Sequence, residues 1–502
     1  MSTTTVGPML KNYIAGEWVQ SQSDRYEDIP NPATGELLSR VPLSTKDDVD
    51  KAVQAAKAAF PAWSETPVVE RARIMFRFQH LLWENQDELA RMITLENGKN
   101  LPEAHAELLR GIEMVEFAAG MPTLLMSESL PNIAKGIDCQ VIRFPLGVVA
   151  GITPFNFPLM VPMWMYPIAI TAGNTFVLKP SERTPLSCIR IAELLKEAGL
   201  PDGVFNVVNG AHDVVNGLLE HPDVKAISFV GSQPVAEYVY KTASAHGKRV
   251  QALAGAKNHH LVMPDTDLRR AAKTIVSSAF GCAGERCMAA SVVVAVEEIA
   301  DELIQYLVEE SDALKMGNGL EPGVDLGPVI RPAHLEKVHG YIEKGIAAGA
   351  RLVRDGREDA KAKREGFFLG PTIFDHADAE MVIVRDEIFA PVLSVLRVRD
   401  FEEGLAVISK SRFGNGATIY TNNGKWGREF VQRVEAGMVG VNVGVPAPMG
   451  FFAFSGWKHS FYGDLHANGK DGVEFFTKKK TVTSRWFDDG DTAIGSQKVF
   501  VK

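Results

Sequence analysis

Two cysteines, Cys282 and Cys287, fall in the run FGCAGERCMA at residues 280–289. A thiolate is a strong nucleophile near neutral pH. A cysteine after a glycine-containing turn and ahead of an apolar strand is therefore a candidate for covalent catalysis. A buried cysteine that merely packs fits the same run, and residue type alone leaves Cys282 and Cys287 on equal terms. The four residues between them are not a usual zinc spacing. His259 and His260 have no matching cysteine or carboxylate set beside them, so they read as structural and no metal is expected. With Cys139 and Cys188 the chain has four cysteines in 502 residues, too few for a disulfide framework, which points to a reducing compartment.

The elements that must position such a nucleophile are those of a large soluble protein. A hydrophobic content of 46% over this length supplies cores for two or three domains. The formal net charge of −9 argues against non-specific nucleic-acid or anionic-membrane binding. The opening residues MSTTTVGPMLKNYIAGEW have neither an apolar core segment nor an Arg-rich amphipathic start, so a cytoplasmic location is expected. From Phe144 to Leu178 there is no charged residue, a length that would cross a bilayer. Pro145, Pro154, Pro158, Pro162 and Pro167 interrupt it, and lipid offers no partners for the backbone groups they free. The stretch reads instead as buried strand, loop and helix, the helix running from about 158 to 172.

Residues 147–253 alternate apolar strands with helices. GVVAGI (147–152), NTFVLKP (174–180), VFNVV (204–208), AISFV (226–230) and RVQAL (249–253) are the predicted strands. Thr184 as N-cap, Pro185 in the first turn and Gly199 beyond the end mark one helix between them. Continuous apolar strands joined by helices imply a doubly wound parallel sheet, with ligands beyond the strands' carboxyl ends. A second α/β unit spans 254–445, with helices near 267–280 and 332–348 and a strand near 291–296. The segments CQVIRFP and GVEFFTKKKTVTSRW read as extended ribbons, and extended edges need partners, so pairing between subunits is expected. No strand is followed by GxGxxG; GNGLEPG at 317–323 has the wrong spacing and follows a helix.

Six motifs then occur in order: TPFNFP (153–158), LKPSERTP (178–185), FVGS (229–232), GERC (284–287), EIFAP (387–391) and FSGWKHSFYG (454–463). Together they resemble the aldehyde dehydrogenase family over essentially the whole chain. The resemblance implies an α/β fold in three parts: a doubly wound NAD-binding domain (1–120 and 147–253), an α/β catalytic domain (254–445), and a small β-ribbon oligomerisation domain with a C-terminal arm (121–146 and 446–502). It implies a homotetramer. It also chooses Cys287, not Cys282, as nucleophile, with Glu285 standing where Gln is more usual. The side-chain amide of Asn156 and the backbone N–H of Cys287 would receive the tetrahedral oxygen, although Asn156 also suits a turn between two prolines. For NAD, the resemblance assigns Lys179 and Glu182 to the adenosine ribose, with Arg183 near the adenosine end. Backbone carbonyls of Thr153 and Phe155 would lie by the cofactor ribose and Ser232 by the pyrophosphate at a helix N-terminus. Glu387 would hold the nicotinamide ribose, with Phe389 beside the ring. A solvated surface charge is the plainer fate of Glu182, Arg183 and Glu387.

Hydrolytic members carry Glu before Leu-Gly-Gly-Lys to activate water. Here Leu253, in ALAGAK (252–257), takes that place and cannot accept a proton. Thiols ionise far more readily than water, so coenzyme A is the expected acyl acceptor. This resembles the CoA-acylating branch that acts on methylmalonate or malonate semialdehyde, with loss of CO₂ to give propionyl-CoA or acetyl-CoA. Arg286, next to Cys287, and Arg110 would hold the substrate carboxylate; the plainer reading pairs each with local acids such as Glu285 or Glu107. Trp164 would line the same pocket or simply pack. Two rival functions stay in view: a hydrolytic dehydrogenase with a different base, and a non-catalytic NAD-binding protein.

Overall fold

The computed structural model describes residues 8–359 and 365–487. Its first sheet has eight strands. Five of them, Val148–Ile152, Thr175–Lys179, Phe205–Val207, Val224–Val230 and Arg249–Leu253, are mutually parallel. In space they run third, second, first, fourth, fifth, so the winding reverses between Val148–Ile152 and Val224–Val230. Their near-continuous burial follows from helices on both faces. Asn12–Ile14 and Glu17–Val19 extend one edge antiparallel, and Phe461–Gly463 adds an antiparallel strand beside Arg249–Leu253. The second sheet has seven strands, with Ala290–Val296 and Asn258–Val262 at its centre and one antiparallel edge strand, Arg351–Arg354. The chain leaves the carboxyl end of the first sheet at Leu253 and enters the amino end of the second at Asn258. The crossing sets those two ends against each other and creates the cleft between the sheets.

The charge-free stretch from Phe144 to Leu178 is a strand, a loop and short buried helices, and among the described residues no helix is long and apolar enough to cross a membrane. The single helix expected over 158–172 is instead two pieces, Met160–Met163 and Tyr166–Thr171. Pro162 and Pro167 lack the N–H that a continuous helix needs. The helix beginning near 185 runs Leu186–Glu197, but Thr184 does not cap it. The Thr184 hydroxyl donates to the Phe155 carbonyl. The cap comes from Glu96 in the helix Gln86–Asn97, whose carboxylate accepts from Leu186 N at 2.7 Å and Ser187 N at 3.1 Å, and from the Ser187 hydroxyl.

The ribbon segments form a three-stranded sheet within the chain: Ser129–Ala134, Ile137–Pro145 and Thr477–Arg485. The expectation of pairing between subunits is corrected to this extent, since the two predicted ribbons pair with each other from Thr477–Pro145 to Arg485–Ile137. The residues before Thr477 are a helix, Gly469–Phe475, not extended chain. Residues 488–502 of the expected C-terminal arm lie outside the described residues.

Glu96 is completely buried, and burial pushes its carboxyl up to about 7 against the hydrogen bonds that pull it down. Glu96→Ala should lower unfolding stability by about 2–4 kcal/mol, because it strips a cap and leaves buried N–H groups unpaired. Glu96→Gln, which keeps one acceptor, should lose less than half as much. Equal urea midpoints for the alanine variant and the parent would refute this role.

Candidate active site

The cleft holds two cavities that meet at Phe157, Trp164 and Cys287. A groove runs across the carboxyl ends of Val148–Ile152 and Val224–Val230, where the winding reverses, and is lined by Thr153, Lys179, Glu182, Ser232, Glu387 and Phe389 among others. A second pocket is lined by Arg110, Arg286, Trp164, Phe454 and both Cys282 and Cys287. Cys287 lines both cavities; Cys282 lines only the pocket. That placement separates two cysteines that residue type left equal.

Cys287 lies in the turn that feeds Ala290–Val296. The side-chain amides of Asn258 and Asn415 both donate to its carbonyl at 2.9 Å, which fixes its backbone. Burial pushes its thiol up to about 12, and the Glu387 carboxylate adds to the rise. Cys282 and Ala283 are left-handed at φ 50° and 53°, and Gly284 follows at 69°. A Cβ on Gly284 would lie 2.4 Å from the Ala390 backbone, so this turn requires glycine. The Cys282 N–H is held by Glu103 at 2.7 Å.

Asn156 is buried, and its Nδ2 donates to the Glu285 carbonyl at 2.9 Å. An amide nitrogen carries two hydrogens, so one remains for a second acceptor. Thr153 offers more than a carbonyl: its hydroxyl is buried without a hydrogen-bond partner on the groove. The Phe155 carbonyl accepts from Asn97 Nδ2 at 3.1 Å and the Thr184 hydroxyl at 3.2 Å. The Phe155 ring stands edge-on to Phe389 at 5.9 Å.

Lys179 and Glu182 pair at 3.0 Å. Burial pulls the Glu182 carboxyl up, but Lys179 and further hydrogen bonds hold it below its ordinary value, hence anionic. Arg183 gives its guanidinium to Glu27, and so braces the groove. Ser232 is the N-cap of the helix Gln233–Ala245 but makes no side-chain cap bond, leaving its hydroxyl and the first N–H groups available to an anion. The Glu387 carboxylate accepts from Ala256 N at 2.9 Å, and burial pushes it up to about 7. Phe389 has a strained φ of 59°, and its carbonyl lies 2.7 Å from His334 Nε2. An unpaired hydroxyl, part-buried carboxylates and an uncapped helix start along one groove fit a dinucleotide.

Arg110 and Arg286 converge on the pocket, but each is paired. The partners are Glu113 at 2.9 Å and Glu103 at 2.8 Å, not the Glu285 or Glu107 weighed from the sequence. Arg110 also donates to the carbonyls of Ala447 and Pro448. Trp164 packs on Phe454 with ring centroids 4.6 Å apart and lines both cavities. Glu285 is buried with its acid pushed well above the ordinary range by burial, and it accepts from Ile330 N at 3.2 Å. Leu253 is buried and carries no acid. His259 and His260 lie buried in the strand Asn258–Val262; His259 Nδ1 lies 2.8 Å from the Lys257 carbonyl and His260 Nδ1 lies 3.3 Å from the Tyr420 hydroxyl.

Sequence reasoning missed Lys99, Asn258, Asn415, His334 and Asn468. Lys99 is fully buried and bonds Glu107 and the Asn156 carbonyl, both at 2.6 Å. Only a buried lysine near a predicted loop would have signalled it, and burial is a tertiary property.

A thiol raised this far is almost wholly protonated in the free protein. Alkylation of Cys287 by iodoacetamide, followed by peptide mass spectrometry, should therefore climb about tenfold per pH unit to pH 10, because only the thiolate reacts. A plateau near pH 8 would mean a preformed thiolate.

The aldehyde dehydrogenase family profile matches residues 18–482. The chain is 65% identical over 483 residues to malonate-semialdehyde dehydrogenase 1 of Geobacillus thermodenitrificans, covering 96% of this chain and 100% of that one. Its structure is similar to that of a methylmalonate-semialdehyde dehydrogenase from Oceanimonas doudoroffii, with a TM-score of 0.94, 49% identity and coverage of 96% and 99%. It is equally similar to a Sinorhizobium meliloti protein described as a methylmalonate-semialdehyde dehydrogenase and complexed with NAD, with a TM-score of 0.95, 47% identity and coverage of 96% and 99%. By motif order, by fold and by the place of its cysteine, the chain belongs to the aldehyde dehydrogenase family.

Proposed function

We propose that this protein is an NAD-dependent, CoA-acylating dehydrogenase of malonate semialdehyde or methylmalonate semialdehyde, working through a thioester on Cys287. The observation that carries the reading is the junction: Cys287 faces a dinucleotide-shaped groove on one side and an arginine-lined pocket on the other. The names of the relatives above support the substrate class, and the crystallised NAD complex supports the cofactor.

In this mechanism the aldehyde enters the pocket with its carboxylate toward Arg110 and Arg286. The Cys287 thiol gives its proton to water in the open cleft, the thiolate Sγ attacks the carbonyl carbon, and the C=O electron pair moves to the oxygen, which gains negative charge. The free N–H of Asn156 and the Cys287 backbone N–H receive it; losing one such donor costs roughly 10²–10³ in rate. Lys179, Glu182, Ser232, Glu387 and Thr153 would hold NAD, with Phe389 beside the nicotinamide and Arg183 and Phe155 bracing the groove. When bound, NAD supplies a cationic ring that accepts the hydride and favours the thiolate. For loss of CO₂ from the acyl group, the C–C bond breaks, its electron pair passes into the thioester enolate, and a proton then returns to carbon. Glu103 and Glu113 partly neutralise the arginines, which lets them orient a carboxylate without gripping it as bare cations would. Leu253 offers no base for water, so the thiol of CoA takes the acyl group.

The exposed Leu130, Ile133, Trp486 and Phe487 on and beside the three-stranded sheet support a homotetramer built on its outer edges. The four free cysteines agree with a cytoplasmic location.

NADH formation from each semialdehyde, with and without CoA and with the product identified by mass, tests the reading. CoA-dependent turnover to acetyl-CoA or propionyl-CoA is expected; free acid at an equal rate without CoA would overturn the branch assignment. Arg110→Leu should lower kcat/KM for the semialdehyde by about 10²-fold, the scale of a lost charged hydrogen bond. An unchanged value would sink the carboxylate clamp. Burial holds the Glu387 carboxyl near 7. The ribose needs the ionised form, so KM for NAD should fall as pH rises through about 7, and a flat profile there would remove Glu387 from cofactor binding.

A further inference from the structure

Asn468 sits in the pocket wall. It is 2% exposed and lines the same pocket as Cys287, Arg110 and Arg286. Its Oδ1 is buried with no hydrogen-bond partner. It precedes the helix Gly469–Phe475 yet makes no side-chain cap bond. Its backbone is left-handed at φ 68°. With ψ 172° this is a region that side-chain-bearing residues rarely adopt, whereas glycine occupies it at no steric cost and buries no amide. Other bonds tie the turn down: Gly469 N to the Gly450 carbonyl at 3.0 Å, Phe454 N to the Ala467 carbonyl at 2.8 Å, Gly472 N to the Asn468 carbonyl at 2.9 Å, and His466 N to the Asp471 carboxylate at 3.2 Å. The backbone conformation is thus accounted for, and the side chain is not.

We propose that Asn468 is a substrate-recognition residue whose side-chain amide hydrogen-bonds the carboxylate of the 3-oxo acid in the aldehyde pocket. The inference rests on the functional reading above. A terminal amide presents either its oxygen or its NH₂ by turning about its last bond. Facing a carboxylate, it turns the NH₂ inward and becomes a neutral donor. Such a donor adds to the two guanidinium groups, since Arg110 and Arg286 already share their charge with Glu113 and Glu103. Glu103 Oε2 is another buried, unpartnered atom on this pocket. Being an anionic acceptor, it turns a carboxylate away, toward Arg110 and the uncommitted amide.

The test compares malonate semialdehyde with propanal, which has the same carbon count but no acid group, in the wild-type enzyme and in Asn468→Gly and Asn468→Asp. Glycine removes the amide and suits the left-handed backbone; thermal melting checks that both variants fold. Asn468→Gly should raise KM for the semialdehyde about tenfold, the effect of one lost hydrogen bond to a charged group, with kcat within about twofold and propanal kinetics unmoved. Asn468→Asp should raise it further, by charge repulsion, and again spare propanal. Unchanged semialdehyde KM in both variants, or equal losses on both substrates, would overturn the role of Asn468 while leaving the enzyme's preference for the acid intact. A wild-type enzyme that does not prefer the semialdehyde over propanal would overturn the functional reading and this proposal with it.

Discussion

The site depends on one ion pair sealed from water. Lys99 and Glu107 meet at 2.6 Å with both side chains wholly buried. Neither charge is left with only its partner. Lys99 also donates to the Asn156 carbonyl at 2.6 Å and lies 4.0 Å over the Phe157 ring, while the other Glu107 oxygen accepts from Leu159 N at 2.9 Å and Met160 N at 3.2 Å. The loop they grip, Thr153 to Pro158, has two prolines and no ladder of its own, so its backbone groups must be satisfied from outside. Removing one member of such a pair typically costs about 3–5 kcal/mol, because the other charge is stranded. Here the loss would fall on the loop that carries Thr153, Phe155 and Asn156, and so on both cavities together.

Cys287, the proposed nucleophile, is held from the opposite side by different means. Two asparagine amides fix the Cys287 carbonyl, and the left-handed turn through Gly284 sets the approach of the chain. The hydrogen bond from Asn156 to the Glu285 carbonyl joins the two halves across the cleft, beside Glu103, which binds Cys282 N and Arg286. Asn156 and Cys287 therefore have their spacing set by bonds within the site, and the scaffold on either side only has to bring the halves into register.

Much of this was legible in the chain. Period and apolarity placed the parallel strands to within a residue or two, as at Arg249–Leu253, and motif order placed Cys287, Asn156, Ser232 and Glu387 on the cleft. What escaped was long-range polar pairing. Thr184 looked like a cap because it precedes a helix, but a carboxylate 90 residues earlier in sequence reaches the same N–H groups first. The 158–172 helix was read from apolarity, which does not register missing donors at Pro162 and Pro167. The two donors to the Phe155 carbonyl, Asn97 and Thr184, come from separate segments. Lys99, Asn258, Asn415 and Asn468 are ordinary polar residues in sequence, and only burial makes them consequential.

On the proposed function, the pocket's charges tie acid recognition to thiol activation. Three acids on its lining each have a basic partner: Glu103 with Arg286, Glu107 with Lys99, and Glu113 with Arg110. The empty pocket is thus close to neutral, and in that surrounding burial keeps Cys287 protonated. A carboxylate substrate brings one negative charge and an ionised Cys287 brings a second. In a poorly solvated site each disfavours the other. An uncharged aldehyde avoids that conflict, so a pocket serving it has no need of two guanidinium groups. For an acid, donors that absorb the substrate charge are required for the thiolate to form beside it at all. On the proposed function the arginines would then act on the chemical step as well as on binding, and the carboxylates beside them would limit how tightly the acid is held once the thioester has formed.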